Sequence, residues 1–447
     1  MATAVASFFL WRMRNPLTAA FLTLALGGTL LSSCGEVDDT TKTSDAPATK
    51  TKPAPAATDK TAPLQANVFL ELSGGMRGFM PANTTATEPT AFQQRVSLLA
   101  SRTNSSPAVA DTKFWLSLNK APQASTYAHF REIVQGDTHE AALGTELPTM
   151  LENILTLPQA ADKVNVVISD FIYGPKNQAA SALMNVNITD ALATVTKKGL
   201  AVAVLGETSK FYGTYHPAVK TPLKQRPLKG ETLPYYIWVI GLPAAVARYV
   251  NEVVPATAAT TQQAYFGLMF PRVPYAAVLT QVAASSPLTP SGDGSISYGG
   301  AGVSTNLEVD DVSKGVDFTV ALDLRQLPAA WREPAFLARN LQAQVPNGTV
   351  KLVPNSIKPT TGVPELQAYT HTLRLHLSNF PKAGGQLSLT LPAPGIPGWV
   401  AQRSTENDNQ PATEPHTYRL TEIMSGVREA FPQTMPPVFT ATFALSQ

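Results

Sequence analysis

Three short stretches place oxygen-bearing side chains where strands of a sheet would end. Residues 67–72 (NVFLEL) run apolar up to Glu71 and stop at Ser73-Gly74-Gly75, Thr145 opens a helix-like stretch, and residues 164–171 (VNVVISDF) finish at Asp170-Phe171. Carboxylates and hydroxyls are hard donors, the kind Mg²⁺ takes in sets of about six with water among them. They can serve one ion only if they share an edge. The same residues also suit structural work: a carboxylate at Asp170 can cap backbone N–H groups, and glycines let a chain turn sharply between sheet and helix.

The elements around them decide whether they meet. Between residues 67 and 254, strand-like runs (68–72, 113–118, 164–171, 200–206 and 235–241) alternate with helical apolar spacing (91–101, 145–157, 179–198 and 243–254), with a polar, Lys- and Pro-rich insertion before residue 235. Apolar strands separated by helices predict an α/β fold: a Rossmann-like, mostly parallel sheet with helices on both faces. Ligands of such sheets bind in the crevice at the carboxyl ends of the strands. Ser73, Thr145 and Asp170 are therefore expected to converge. Beyond residue 260 the pattern becomes period-two: Phe318, Val320 and Leu322, then Leu373, Leu375 and Leu377, then Leu387, Leu389 and Leu391 alternate with polar or small residues. That predicts a half-buried antiparallel sheet, sandwich-like, ending in a helix over 420–431.

The strand-tip constellation resembles the von Willebrand factor type A family, whose metal-binding edge combines an Asp-x-Ser-x-Ser motif after the first strand, a threonine in a later loop and an aspartate in a (Thr/Ser)-Asp-Gly tip. Glu71-Leu72-Ser73-Gly74-Gly75, Gly144-Thr145-Glu146-Leu147 and Ile168-Ser169-Asp170-Phe171 stand at those places. Met76-Arg77-Gly78-Phe79 and residues 234–241 (PYYIWVIG) are similar to segments of bacterial members. The resemblance covers about residues 66–254 and implies that Glu71, Ser73, Thr145 and Asp170 hold Mg²⁺, with an open position for a partner's carboxylate. Three departures stand out: Glu71 replaces the first aspartate, Gly75 the second serine and Phe171 the last glycine. The loss of one hydroxyl leaves open a metal-free descendant of that site.

The start of the chain is a second strong signal. Arg12 and Arg14 precede an apolar run over 17–31 that is short for a membrane span, and Leu31-Ser32-Ser33-Cys34 closes it. This resembles a bacterial lipobox. It implies a signal peptide over 1–33, diacylglycerol and palmitate-type acylation at Cys34, and a lipid anchor strong enough for stable membrane attachment. Gly35 in place of aspartate favours the outer membrane, on its periplasmic face or at the cell surface. Cys34 is the only cysteine, so no intramolecular disulfide is expected. Residues 34–65 carry no aromatic side chain and read as a flexible tether. The α/β domain then spans 66–256 and the β-rich domain 260–447.

Composition excludes some functions. The formal charge of +2 vanishes once Arg12 and Arg14 leave with the leader, and no dense Lys/Arg run remains, so nucleic acid is not an expected partner. Ser73 lacks the Gly-x-Ser-x-Gly setting of a hydrolase elbow, and no phosphate-cradling glycine loop is present. His371 and His376 lie an odd number of residues apart and face opposite sides of one strand, with His371 expected at the surface. Glu406, Asp408 and Glu414 share an irregular loop that offers Ca²⁺ donors or is simply solvated. The chain reads as a non-enzymatic, lipid-anchored envelope lipoprotein that binds or scaffolds a protein or glycan. The alternative is an envelope enzyme, or enzyme subunit, acting on polysaccharide or peptide through the carboxy-terminal half.

Overall fold

The computed structural model describes residues 62–83, 85–118, 121–142, 144, 146–172, 182–254, 261–270, 276–279, 296–297, 303–304, 306–309, 315–360, 366–379, 384–409 and 414–446. The leader, Cys34 and most of the tether lie outside them. So does Thr145. Among the described residues no helix is long and apolar enough to cross a membrane.

The first half is an α/β unit. Its elements run β1 (Leu64–Glu71), a 3₁₀ turn (Met76–Phe79), α1 (Ala91–Ser105), β2 (Val109–Ser117), β3 (Gln123–Ser125), α2 (Tyr127–Val134), α3 (Leu147–Leu155), β4 (Val164–Ser169), α4 (Met184–Ala191), α5 (Ala193–Lys197), β5 (Ala201–Tyr215), β6 (Arg226–Gly241), α6 (Pro243–Arg248) and β7 (Gln262–Phe266). They build a seven-stranded mixed sheet in the order β3-β2-β1-β4-β6-β5-β7. β2, β1 and β4 are adjacent and parallel, while β6 opposes both β4 and β5, so β5 runs with the parallel set.

The strand over 235–241 is thus antiparallel, and the polar insertion before it is no loop. β5 continues to Tyr215 and β6 starts at Arg226, so the two form a long hairpin whose outer half projects beyond the sheet. Lys and Pro there signal exposure, and backbone pairing, not apolar burial, sets its form.

Alternation along the inner strands sorts side chains onto two faces. Val68, Leu70, Val166, Ile168, Ile237 and Val239 pack under α1 and α2, with Phe92, Val96, Phe130 and Ile133. Phe69, Val167, Val202, Val204, Trp238 and Ile240 lie under α3 and α4, with Leu151, Ile154 and Ile188. α1 begins with a capping box, Thr90 Oγ1 accepting from the Gln93 N–H and Gln93 Oε1 from the Thr90 N–H. Buried Asn67 donates to Asn165 Oδ1 at 3.0 Å, fixing the β1/β4 register at the end away from the predicted edge.

The second half contains β8 (Ala276–Leu279), β9 (Ile296–Ser297), β10 (Val303–Ser304), β11 (Asn306–Val309), β12 (Val316–Leu322), α7 (Ala329–Arg332), α8 (Pro334–Asn340), β13 (Gln342–Gln344), β14 (Thr349–Leu352), β15 (Lys358–Pro359), β16 (His371–Ser378), β17 (Gly385–Leu391), α9 (Trp399–Arg403), β18 (Ser404–Thr405), β19 (Thr417–Tyr418), α10 (Leu420–Glu429) and β20 (Phe439–Ser446). Two separate sheets form, one around β12 and β16 and one around β17 and β20. Their inward residues, Val320, Leu373 and Leu375 from one and Leu387, Leu389 and Phe443 from the other, share a core. His371 belongs to the buried alternation of β16 and is only 7% exposed, contrary to its expected surface position. Burial lowers its pKa. Helix α10 packs elsewhere: Leu420, Ile423, Met424 and Val427 lie against α4 and the second face of the first sheet.

Candidate functional site

The carboxyl ends of β1 and β4 lie side by side in the seven-stranded sheet, and there the segment Glu71-Leu72-Ser73-Gly74-Gly75 meets Ser169-Asp170-Phe171. All of the site's polar side chains are buried: Glu71 is 6% exposed, Ser73 4%, Asp170 5% and Ser169 not at all. Ser73 and Asp170 converge over Gly75. A Cβ built on that glycine would sit 3.2 Å from Asp170 Oδ2 and 3.5 Å from Ser73 Oγ. The position that bears a serine hydroxyl in von Willebrand A edges is here occupied by the close approach of the aspartate itself.

Glu71 reaches the same edge from the α3 face. Ser169 Oγ donates a very short hydrogen bond to Glu71 Oε2 and accepts one from the Phe171 N–H at 2.8 Å. Ser169, at the (Thr/Ser) position of the tip motif, orients both the glutamate and the turn. On the other side of Glu71, by strand register, stands Ser117, whose buried Oγ has no hydrogen-bond partner among the described residues.

Asp170 is held by its backbone. Its N–H points at Met76 Sδ, 3.2 Å away, and its Oδ1 accepts from the Ile172 N–H at 3.0 Å. This capping role is the plain structural reading of the residue, and it occupies one oxygen only. Burial, and then the neighbouring Glu71 carboxylate, push the Asp170 pKa up to about 8 against the pull of the Ile172 N–H, with Asp408 adding a further push. Among the described residues no basic side chain offsets these.

The glycines and Phe171 answer to packing. Gly78, in the 3₁₀ turn, lies so near the Phe211 ring of the hairpin that a Cβ would come within 2.3 Å of it. The turn is thereby wedged between β1 and the β5/β6 hairpin, where Phe79 packs edge-on to Phe211 at 5.1 Å. Phe171 has φ = +53°, the left-handed conformation that a glycine adopts freely. Its ring stacks on Trp238 at 4.4 Å, which anchors the strained turn in the core.

The segment ahead of Thr145 also reaches this edge. Ala142 bridges Ser73 in parallel, its N–H donating to Leu72 O at 3.0 Å and its carbonyl accepting from the Gly74 N–H at 2.8 Å. Among the described residues no group of three His, Cys, Asp or Glu side chains is gathered around one metal position. The donor set at the tip, two buried carboxyls and a serine hydroxyl over an open glycine, is nonetheless of the hard-oxygen type that suits Mg²⁺.

The other candidate loop is structural at its centre. Asp408 accepts from Tyr215 Oη at 2.9 Å, the Ala218 N–H at 2.7 Å and the Val219 N–H at 3.0 Å. It clamps the end of the β5/β6 hairpin. Glu406 pairs with Arg419 at 2.9 Å and Glu414 lies 3.9 Å from Arg403, so the three acids point to separate partners. Comparison with family models, curated proteins and solved structures finds no match to this chain.

Proposed function

We propose that this chain is an exported lipoprotein, anchored to the outer membrane through lipid at Cys34, whose α/β half is a von Willebrand A-like binding module. It binds or scaffolds a protein or glycan of the cell envelope. One observation carries this reading: residues far apart in sequence, Glu71 and Ser73 at the end of β1 and Asp170 after β4, gather at one edge of parallel strands, with Ala142 bridged to Ser73 beside them. In this reading Ser73, Asp170 and Glu71 hold Mg²⁺, together with Thr145 as the family resemblance implies. The ion supplies an open position for a carboxylate of the partner. The residues of this chain orient it: Ser169 holds Glu71, the Ile172 N–H holds one oxygen of Asp170, and the glycine leaves the other oxygen uncovered. A hard cation would also compensate the charge of two carboxylates buried together.

The test is thermal unfolding of the chelator-treated protein against increasing Mg²⁺ or Mn²⁺. Binding to the native state raises the midpoint by mass action, and Asp170→Ala removes the rise. A wild-type midpoint that stays flat through millimolar cation would overturn the metal-assisted form of the proposal.

A further inference from the structure

The outer half of the β5/β6 hairpin takes no part in the strand-tip reading, and its charge sets it apart. Residues 208–230 hold four lysines and one arginine without a single acidic residue. Past the leader the basic and acidic residues of the whole chain balance, so everything outside this arm is net acidic. Lys220, Lys224, Arg226 and Lys229 fall within ten positions around the tip. Because β5 runs with β1, the arm projects from the strand-tip edge, opposite the end at which the chain enters the sheet at Leu64.

The cations differ in what already holds them. Arg226 lies over the Tyr215 ring at 5.7 Å and donates to Asn409 O at 3.1 Å, and Lys220 donates to the Pro217 carbonyl. Lys224 and Lys229 are exposed, and among the described residues neither is in an ion pair. Between Lys220 and Lys224 stand Pro222 and Leu223, both exposed, Leu223 at 48%. A lone surface leucine is ordinary. This one is held out on a braced backbone: Asn409 Nδ2 donates to the Leu223 carbonyl at 2.5 Å and to the Val219 carbonyl at 2.7 Å, while Asp408 accepts from the Ala218 and Val219 N–H groups. The loop fastens the carbonyl and leaves the side chain in water.

An apolar tip flanked by lysines suits a bilayer surface. The leucine can enter the boundary between headgroups and acyl chains, while lysine stems lie along it and their ammonium groups reach lipid phosphates. A soluble polyanion would use the cations and gain nothing from Leu223. We propose that the tip of the β5/β6 hairpin, from Lys220 to Lys229, is a docking surface for an anionic phospholipid bilayer, with Leu223 inserted and Lys224 and Lys229 on the phosphates. The contact is peripheral and salt-sensitive. It needs neither an acyl chain at Cys34 nor an ion at the strand tip.

The experiment uses the chain from residue 34 onward, the form that cleavage of the leader would leave, carrying Cys34→Ser so that no acyl chain contributes, with chelator present so that no ion does. The protein is expected to co-sediment with vesicles of phosphatidylcholine containing phosphatidylglycerol, not with phosphatidylcholine alone, and less as added salt screens the charges. Lys224→Gln combined with Lys229→Gln should weaken binding about 30-fold, and Leu223→Ser about tenfold. These side chains are exposed, so the thermal midpoint should not move. With Cys34 replaced, Leu223→Cys offers a single thiol for an environment-sensitive fluorophore, whose emission should shift to the blue on anionic vesicles. Failure to bind the anionic vesicles overturns the proposal. So does binding that survives both sets of substitutions. Binding that needs the lysines while Leu223→Ser leaves it unchanged and the fluorophore stays in water also overturns it, and is the result an anionic polysaccharide partner would give.

Discussion

Asp170→Asn should change how stability depends on pH more than it changes stability at any one acidic pH. The folded protein raises this carboxyl from its usual 3.8 to about 8, first because it is buried and then because Glu71 stands beside it. A raised acid keeps its proton in the native state and loses it on unfolding, so the native state binds one more proton across that window. Its stability contribution is intact below about pH 4, drains away as the pH climbs to about 8, and is constant beyond. At about 1.4 kcal/mol per pH unit, the window corresponds to a loss on the order of 5 kcal/mol for the wild type in the absence of cation. Asparagine keeps the acceptor for the Ile172 N–H and has nothing to ionise. Urea unfolding with chelator present should therefore show the variant close to wild type at pH 4.5 and clearly more stable at pH 9, with most of the divergence between pH 5 and 8. Mg²⁺ should narrow the gap at high pH by stabilising only the wild type, and should do so less at pH 5, where it must displace the proton. Parallel stability curves for the two proteins across this range would refute the assignment of an uncompensated carboxyl at the strand tip.

Two further substitutions test the packing behind that tip. Gly78→Ala drives a methyl group into the Phe211 ring and should cost roughly 1–3 kcal/mol, read as a lower urea midpoint; an unchanged midpoint would mean that the 3₁₀ turn is not wedged against the hairpin. Phe171→Gly relieves left-handed strain of about 1–2 kcal/mol but deletes a buried ring worth about 3–5 kcal/mol. The stack on Trp238 should win, so this variant should be less stable than wild type, and a gain in stability would show that backbone strain dominates the site.

The strand-tip convergence was legible because chain order carries it. Parallel neighbours such as β1 and β4 must place Ser73 and Asp170 at one edge, whatever the details of their loops. What was not legible depends on distance and on partners. The Lys- and Pro-rich composition of the 207–234 region speaks of exposure, and cannot reveal that its backbone pairs with itself as an extension of β5 and β6. The apolar stripe of α10 says that one face is buried without saying against which sheet. His371 shares its side of β16 with Leu373, Leu375 and Leu377, and that alternation should have placed it inside. Phe171 departs from the glycine of its motif, yet its backbone keeps the glycine-like turn because the core supplies an anchor for the ring.

The docking of α10 against α4 has a consequence for biogenesis. The second face of the first sheet is completed by Leu420, Ile423 and Val427, residues made more than 150 positions after β7 of that sheet ends at Phe266. A ribosome releasing this polypeptide holds back the final wedge of its earliest core until almost the whole message has been read. The amino-terminal half must therefore wait as an open, incomplete body, and a chain terminated prematurely near residue 400 would expose that apolar surface to chaperones and proteases.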